Sequence, residues 1–434
     1  MLFSSTRSAY PHVSLLEAVE KGLAPDGGLY LPITQPDVDW ETLPSNSFGA
    51  CSDVFLTQWL GDALIPSQKK ELVEEVVQDA LNFEVPICFT PETRSYPGLH
   101  VLELFHGPTL SFKDFGARTL AKLLKARLAQ SHQSNTILVA TSGDTGSAVA
   151  DGLSGIDGIR VILLYPDAGV SEVQEKQLIT KRKGVLSLRV RGTFDDCQRL
   201  VKGAFGQDEL AQLNLSTANS INMGRLIPQM LYYVWATRFL GSKQCQFVVP
   251  SGNLGNLTAG VLANLSGMPV TGFIAAHNQN DFFPRYKKSP DATFGTTVKT
   301  LSNAMDVGAP SNFERLQSLS AASDLMSRIE AISLTDEQTL FHMSQFHAET
   351  GYVADPHSAV GIGAAASLNA KAGPIVVLST AHPAKFPDIV QQATSITPEV
   401  PAQLARLDHL PTRVVDFDPA QNKLADVLLA NKWD

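Results

Sequence analysis

Cysteine is scarce in this chain, and its placement excludes the two structures that cysteines most often build. The cysteines are widely scattered, at Cys51, Cys88, Cys197 and Cys245. No two of them have the C-x-x-C spacing, so the sequence predicts neither a zinc site nor a disulfide framework, and no other metal site is predicted. Reduced thiols are typical of cytoplasmic proteins, and we expect that compartment.

Long apolar runs and an excess of positive charge are also missing. No stretch approaches the ~20 apolar residues that a membrane helix needs, and the N-terminal segment lacks the basic and apolar regions of a secretion signal. Lysine and arginine total 34 against 43 acidic residues, which gives a formal net charge of −9. The sequence therefore argues against a membrane protein and against a general nucleic-acid binder.

Low-complexity tracts and internal repeats are absent as well. Hydrophobic residues make up 44% of the chain and charged residues 18%, which supports a large core and excludes wholesale disorder. The 434 residues suggest two or three domains.

The residue pattern changes at a turn-rich stretch, residues 91–98. Before it lie a Gly/Pro turn at 24–28 and an amphipathic helix around 72–81. After it, short runs rich in Val, Ile and Leu alternate with helical segments, one of them over 117–129. This alternation is typical of βαβ units around a mainly parallel sheet. The predicted strands lie at 136–140, 161–165, 186–190, 246–249, 273–276 and 375–379.

Two of these strands lead into glycine turns of one design. Residues 141–146 are Thr-Ser-Gly-Asp-Thr-Gly, residues 250–256 are Pro-Ser-Gly-Asn-Leu-Gly-Asn, and a helix follows each. A helix N-terminus offers free N–H groups, and glycine lets an anion approach the backbone closely. Each turn is a candidate phosphate or carboxylate site, with an ordinary capped turn as the alternative.

Two well-known nucleotide motifs do not explain these turns. Neither turn matches a Walker A loop. The G-x-G-x-x-A match at 361–366 lies within a predicted helix and lacks the preceding strand of a dinucleotide site. We interpret that match as close helix packing.

One lysine stands between two phenylalanines in a loop bounded by Gly and Pro. The segment 103–116 contains Phe112-Lys113-Asp114-Phe115. Partial desolvation lowers the pKa of a lysine and makes its neutral amine a nucleophile that can form a Schiff base. The alternative is a loop lysine paired with Asp114.

Two further segments carry clustered polar groups. Residues 218–225 supply amide, hydroxyl and guanidinium groups that suit a phosphate, with helix capping and a surface arginine as the alternative. Residues 379–386 follow a buried strand, where ligands collect in doubly wound sheets. His382 and Lys385 in that segment have a structural alternative, as does His106.

Taken together and in this order, the motifs resemble the threonine synthase family, pyridoxal 5′-phosphate (PLP) enzymes of fold type II (tryptophan synthase β-like). The resemblance runs through most of the chain. It rests on residues 24–30, HGPTLSFKDFG, TSGDTG, ANSINMGR, PSGNLGN, residues 302–307 and STAHPAKF.

The resemblance implies an α/β fold with two domains built on parallel sheets and an α-rich N-terminal domain. We expect an N-terminal accessory domain at 1–95 and a larger PLP-binding domain at 96–130 and 216–395. A smaller mobile domain is expected at 131–215, followed by a C-terminal extension at 396–434.

The resemblance also implies a role for each motif. Lys113 matches the lysine that binds PLP covalently and shuttles protons, and Thr380 matches the residue whose hydroxyl meets the pyridine nitrogen. The loop that binds the cofactor phosphate in the family matches Gly252, Asn253, Leu254, Gly255 and Asn256. The residues that bind the substrate match Ser142, Asp144, Thr145, Asn219, Ser220 and Arg225.

Three of these positions depart from relatives. Another branch carries asparagine at Asp144, which leaves the contact of that carboxylate open. Relatives often carry phenylalanine and aspartate at Leu254 and Asn256. The backbone contact of Leu254 is expected to survive the change, whereas the side-chain contact of Asn256 is open.

The activity implied by the resemblance is conversion of O-phospho-L-homoserine and water into L-threonine and phosphate. The implied partner is therefore a small molecule, and we expect a monomer or homodimer. Two alternatives stay open: a related phospholyase that releases 2-oxobutyrate, and an inactive phospho-amino-acid binding protein.

Overall fold

The computed structural model describes residues 1–8, 11–131, 133–241, 245–321, 324–368 and 373–430. Within these ranges the strands, in chain order, are β1 (Leu2–Ser5), β2 (Val13–Ser14), β3 (Tyr30–Pro32), β4 (Ile87–Phe89), β5 (Leu99–Glu103), β6 (Asn135–Ala140), β7 (Ile159–Pro166), β8 (Val185–Val190), β9 (Leu215–Thr217), β10 (Gln246–Pro250), β11 (Gly272–His277), β12 (Ile329–Ser333), β13 (Ile375–Ser379) and β14 (Val415–Phe417).

The α-helices of the same ranges lie between these strands and at both ends of the chain. They are α1 (Leu15–Lys21), α2 (Phe48–Leu60), α3 (Pro66–Glu75), α4 (Lys113–Ser131), α5 (Asp144–Leu153), α6 (Glu172–Ile179), α7 (Phe194–Ala204), α8 (Met223–Phe239), α9 (Gly255–Leu265), α10 (Phe282–Lys288), α11 (Phe313–Ser320), α12 (Asp336–Thr350), α13 (Pro356–Ala366), α14 (Pro387–Thr394), α15 (Ala402–Ala405) and α16 (Leu424–Leu429). None of the described helices is both long enough and apolar enough to cross a bilayer.

The larger sheet has the strand order β12-β11-β10-β13-β5-β4. Its strands run parallel except for β4, which pairs antiparallel with β5. Every residue of β13 is buried, as expected for a central strand covered on both faces. Helix α13 packs on β10 and β13, where a Cβ on Gly361 would lie 2.9 Å from Val377 Cγ1. The interpretation of 361–366 as close helix packing is thus confirmed.

A second sheet is wholly parallel, with the order β14-β8-β7-β6-β9. Its central strands β6 and β7 are buried almost throughout, which explains their apolar sequences without alternation. The N-terminal region adds a small antiparallel sheet, β2-β1-β3, and helices that pack on α4 and α8. The α/β fold with two parallel sheets and an N-terminal unit is therefore confirmed.

The predicted strands fall within observed ones, and their ends differ by at most two residues. Strands β5 and β12 were not predicted because His100 and Glu330 interrupt their apolar runs. Helix α4 begins at Lys113, four residues before the predicted start, and the predicted helix around 72–81 is divided at Val76, where a π-helical turn follows α3.

The domain boundaries stay a prediction. Two strands bear on them: β4 lies within 1–95 but pairs with the larger sheet, and β14 lies within 396–434 but pairs with β8 of the second sheet.

Candidate active site

The turn between β10 and α9 forms a cup of backbone N–H groups. Among the described residues, the N–H groups of 252–256 have no hydrogen-bond acceptor. Leu254 has a φ of 59°, in the left-handed region that residues other than glycine seldom adopt, and a residue in this conformation is typical of backbone turns that bind anions. The backbone is packed tightly here, since a Cβ on Gly252 would lie 2.8 Å from Met305 Cα. This cup fits a phosphate.

Asn256 adds a side-chain donor to the cup. Its Oδ1 accepts hydrogen bonds from the Tyr232 hydroxyl at 2.6 Å and the Tyr233 hydroxyl at 2.7 Å. Its Nδ2 is buried and has no partner among the described residues. Buried donors are rarely left unpaired, so this atom indicates a missing acceptor such as a phosphate oxygen.

Lys113 opens α4 and is half-buried in the same cavity. Asp114 turns away from it and accepts both the N–H and the hydroxyl of Thr109, at 2.9 and 2.7 Å. In the described part of the chain no carboxylate lies within ion-pair distance of Lys113, so the alternative of a pair with Asp114 is wrong. Its Nζ lies 4.6 Å from the centre of the Phe112 ring.

Burial lowers the pKa of Lys113 to about 8, and the charge of Arg225 acts in the same direction. Asp144 opposes the shift, and Lys385 supports it. An amine in this range is partly neutral at physiological pH and is able to act as a nucleophile or base.

Thr380 follows β13 and lies beside the loop of Lys113. Its carbonyl accepts the N–H of Phe112 at 2.9 Å, and its N–H donates to Ser358 Oγ at 3.0 Å. The backbone of Thr380 is therefore fixed, while its hydroxyl has no partner among the described residues. Its side chain lines the cavity with Lys113.

His357 also lines this cavity. Its Nδ1 lies 2.8 Å from Asp355 Oδ1, and its Nε2 accepts the N–H of Ala304 at 3.1 Å. These two bonds define one neutral tautomer and hold the segment of Ala304 and Met305 over the cavity.

Asp144 begins α5 and is the charged group of the first glycine turn. Its Oδ1 lies 2.6 Å from the buried ammonium of Lys385 and accepts Gln174 Nε2 at 2.9 Å. Burial acts to raise the pKa of Asp144, but the charge of Lys385 and the hydrogen bonds from Lys385 and Gln174 hold it below its usual value. The Asp144 carboxylate is thus ionised, and the ammonium of Lys385 balances its charge.

The first glycine turn, residues 141–146, has more of its N–H groups hydrogen-bonded than the second turn, residues 250–256. Thr141 Oγ1 accepts the N–H groups of Gly143 and Gly146, at 3.0 and 2.8 Å. The N–H groups of Asp144 and Thr145 have no acceptor in the described ranges. This turn can still receive one anionic group.

Ser220 reaches the cavity from the segment before α8, and Arg225 reaches it from the first turn of that helix. Arg225 is fully buried, its Nη1 donates to the Ala218 carbonyl at 2.6 Å, and its Nε has no partner among the described residues. Burial lowers the pKa of Arg225 to about 10. Ser220 Oγ accepts Asn253 Nδ2 at 2.7 Å, which joins this segment to the second turn.

The structure brings most of the predicted site residues into one narrow cavity of 70 Å³. Those that line it are Lys113, Asp144, Ser220, Arg225, Gly252, Asn253, Leu254, Gly255, Asn256 and Thr380. Ser142, Thr145 and Asn219 are not among its described lining residues. Asn219 instead lines an adjoining cavity of 860 Å³, which shares Asn253 with the narrow one.

Sequence reasoning missed four residues that shape the site. Thr141, Gln174 and His357 were not singled out, and Lys385 received no definite role. The hydroxyl of Thr141 next to a glycine turn was a usable local signal. Lys385 and Gln174 both contact Asp144 from distant positions in the chain, and His357 contacts Ala304 in the same way, so no local pattern marks these contacts.

Family models of known proteins match most of the chain. A family model described as pyridoxal-phosphate dependent enzyme matches residues 95–381. Models described as threonine synthase N terminus and threonine synthase, C-terminal match residues 2–76 and 358–428.

Individual threonine synthases are similar to this chain over nearly its whole length. The threonine synthase of Serratia marcescens is 39% identical, with 92% of each chain covered. The crystal structure of threonine synthase from Escherichia coli superposes with a TM-score of 0.90 at 35% identity, covering 99% of this chain and 100% of that one. A PLP-bound threonine synthase from Brucella melitensis superposes with a TM-score of 0.88 at 33% identity, covering 99% and 98%.

Proposed function

Because the chain belongs to the threonine synthase family of pyridoxal-phosphate-dependent enzymes, we propose that its narrow cavity converts O-phospho-L-homoserine and water into L-threonine and phosphate. The chain is a lyase of threonine biosynthesis, its cofactor is PLP, and its substrate is a small amino-acid phosphate. The exact substrate, the main product and the role of each residue are the proposed part, as are a cytoplasmic location and a monomeric or homodimeric state.

The residues of the cavity fit the cofactor. The free N–H groups at 252–256 and the unpaired Nδ2 of Asn256 suit its phosphate, and the amine of Lys113 suits its aldehyde. The free hydroxyl of Thr380 suits its ring nitrogen. When bound, PLP withdraws electrons from the carbon that carries the substrate amine, so that a proton can leave this carbon.

Lys113 is the candidate for proton transfer. Because burial and Arg225 lower its pKa to about 8, its amine is available to take a proton from the substrate Cα. Since no carboxylate pairs with it in the described part of the chain, its Nζ is free to deliver the proton elsewhere on the substrate.

Arg225 and Ser220 are the candidates for holding the phosphate that leaves the substrate. Arg225 lines the cavity together with Lys113, and its unpaired Nε is a charged donor. Asn219 lines the adjoining larger cavity and is the third candidate, for a substrate phosphate bound where the two cavities meet.

The turn of Ser142, Asp144 and Thr145 is the candidate for holding the substrate carboxylate. Since Ser142 and Thr145 lie outside the lining of the narrow cavity, this role requires a movement of the turn with the smaller unit, 131–215. Such closure also controls when water enters.

One observation carries the proposal: an unpaired, half-buried lysine amine and a cup of free N–H groups share one cavity. The test is to mix purified protein with PLP, reduce it with borohydride and map the labelled peptide. We expect a visible band at ~410–420 nm that reduction removes, with the label on Lys113. A label on another lysine, or the same label in Lys113→Ala, contradicts the assignment.

Product analysis tests the reaction itself. With O-phospho-L-homoserine, chromatography should find threonine and phosphate in equal amounts. Mainly 2-oxobutyrate indicates the related phospholyase, and no turnover with bound PLP indicates a binding protein.

A further inference from the structure

The role of Lys385 is unexplained by the cofactor and substrate contacts above. Its side chain is fully buried, at 0% exposure, and its Nζ contacts two groups: Asp144 Oδ1 at 2.6 Å and the Thr109 carbonyl at 3.1 Å. Burying an unpaired lysine costs free energy, so the ion pair with Asp144 offsets the cost of burying Lys385 at this site.

Asp144 poses an electrostatic problem for the turn that contains it. The free N–H groups of Asp144 and Thr145 suit an anionic group, yet the same turn carries a buried and ionised carboxylate. Two carboxylates in one partly desolvated site repel each other strongly. A substrate carboxylate therefore binds there only if another group neutralises Asp144.

Lys385 is the cation placed to do this. Lys113 makes no ion pair with Asp144 in the described structure, and Gln174 is neutral. Gln174 instead fixes the geometry, because it donates to Asp144 Oδ1 and accepts Asn303 Nδ2 at 3.1 Å. Lys385 Nζ and Gln174 Nε2 therefore contact the same oxygen of the Asp144 carboxylate, Oδ1.

We propose that Lys385 is a positioning residue for substrate binding: it neutralises Asp144, so that the turn at 141–146 accepts the substrate carboxylate. This proposal rests on the proposed function, which assigns that turn to the carboxylate. It also explains how a charged residue occupies a position where asparagine would serve without a counter-ion.

The test compares two ligands with PLP-loaded protein by calorimetry. One is the phosphonate analogue of phosphohomoserine, in which a methylene group replaces the ester oxygen. The other is 4-aminobutylphosphonate, the same molecule without its carboxylate. The variants are Lys385→Met, Asp144→Asn and the double variant, with melting temperatures recorded for each.

We expect Lys385→Met to lower the affinity for the carboxylate-bearing ligand by at least ~10-fold, because this ligand meets an uncompensated Asp144. The affinity for the ligand without a carboxylate should change by less than ~3-fold. Adding Asp144→Asn should restore binding. Equal weakening of both ligands, or no recovery in the double variant, overturns the proposal. Lys176→Met, which breaks an exposed ion pair with Asp408, is the control and should change neither ligand.

Two further outcomes separate the proposal from its premise. If the unaltered protein binds both ligands equally, the carboxylate role of the turn fails, and the proposal fails with it. If it prefers the carboxylate ligand and Lys385→Met keeps that preference, only the role of Lys385 fails.

A second comparison covers the case in which Lys385→Met does not fold. Asp144→Asn leaves a lone ammonium beside the turn, so it should bind the carboxylate ligand at least ~3-fold more tightly than the neutral double variant. Equal affinity overturns the proposal.

Discussion

Asn256 allows a prediction whose size follows directly from two hydrogen bonds. Replacing it with leucine keeps the number and branching of the side-chain heavy atoms but removes the acceptor of the Tyr232 and Tyr233 hydroxyls, both on fully buried side chains. Each orphaned buried donor costs about 1–3 kcal/mol, so the variant should lose about 2–6 kcal/mol of unfolding free energy. Tyr233 has a weaker second acceptor in the Asn256 carbonyl at 3.1 Å, which favours the lower half of that range.

Urea unfolding of the cofactor-free protein measures this loss. In a matched variant, Tyr232→Phe and Tyr233→Phe are added to Asn256→Leu, which removes the orphaned donors and should recover part of the stability. The same leucine variant lacks Nδ2, and loss of a hydrogen bond to a charged phosphate, about 1.5–3 kcal/mol, should weaken PLP binding about 10- to 150-fold. A loss of stability below about 1 kcal/mol, with no recovery in the triple variant, would refute the reasoning.

Three other predictions address the amine, the cup and the ring contact. In the cofactor-free protein, competitive labelling followed by mass spectrometry should give Lys113 a midpoint near pH 8, because its pKa is lowered to about 8; a midpoint above pH 10 would contradict this. Gly252→Ala places a Cβ 2.8 Å from Met305 Cα and should weaken PLP binding at least ~10-fold, whereas Gly203→Ala meets no atom within 4 Å and should leave it unchanged. Thr380→Asp should change the ratio of threonine to 2-oxobutyrate, because a carboxylate favours a protonated ring nitrogen; an unchanged ratio would argue against the contact.

The parts of the site that sequence reasoning predicted are those that local chemistry specifies. The turn at 250–256 has its glycines, its strand and its helix within a dozen residues, and the structure places all of them as expected. The left-handed backbone of Leu254 was not predictable, because leucine disfavours that region and packing imposes it.

Distant pairs account for what the sequence could not predict. Asp144 and Lys385 are separated by more than two hundred residues, and neither neighbourhood indicates a counter-ion. Asp114 stands beside Lys113 in the sequence, but the start of α4 turns its carboxylate toward Thr109 instead. The neighbour of Asp114 in the sequence, Lys113, is therefore not its partner, and the conformation of the loop before α4 places Thr109 there instead.

The strand order explains why residues so far apart meet at all. In the larger sheet β13 lies between β10 and β5, and the three strands run parallel, so their carboxyl ends share one edge. The loops that leave this edge carry the cup at 252–256, Thr380 and Lys113, and the bridge between Ser111 and Ala381 joins two of these loops directly. A strand placed between β13 and β5 would move Lys113 about 5 Å away from Thr380. The sequence predicts β10 and β13 but not β5, and the order that makes the three strands one site depends on packing across the whole domain.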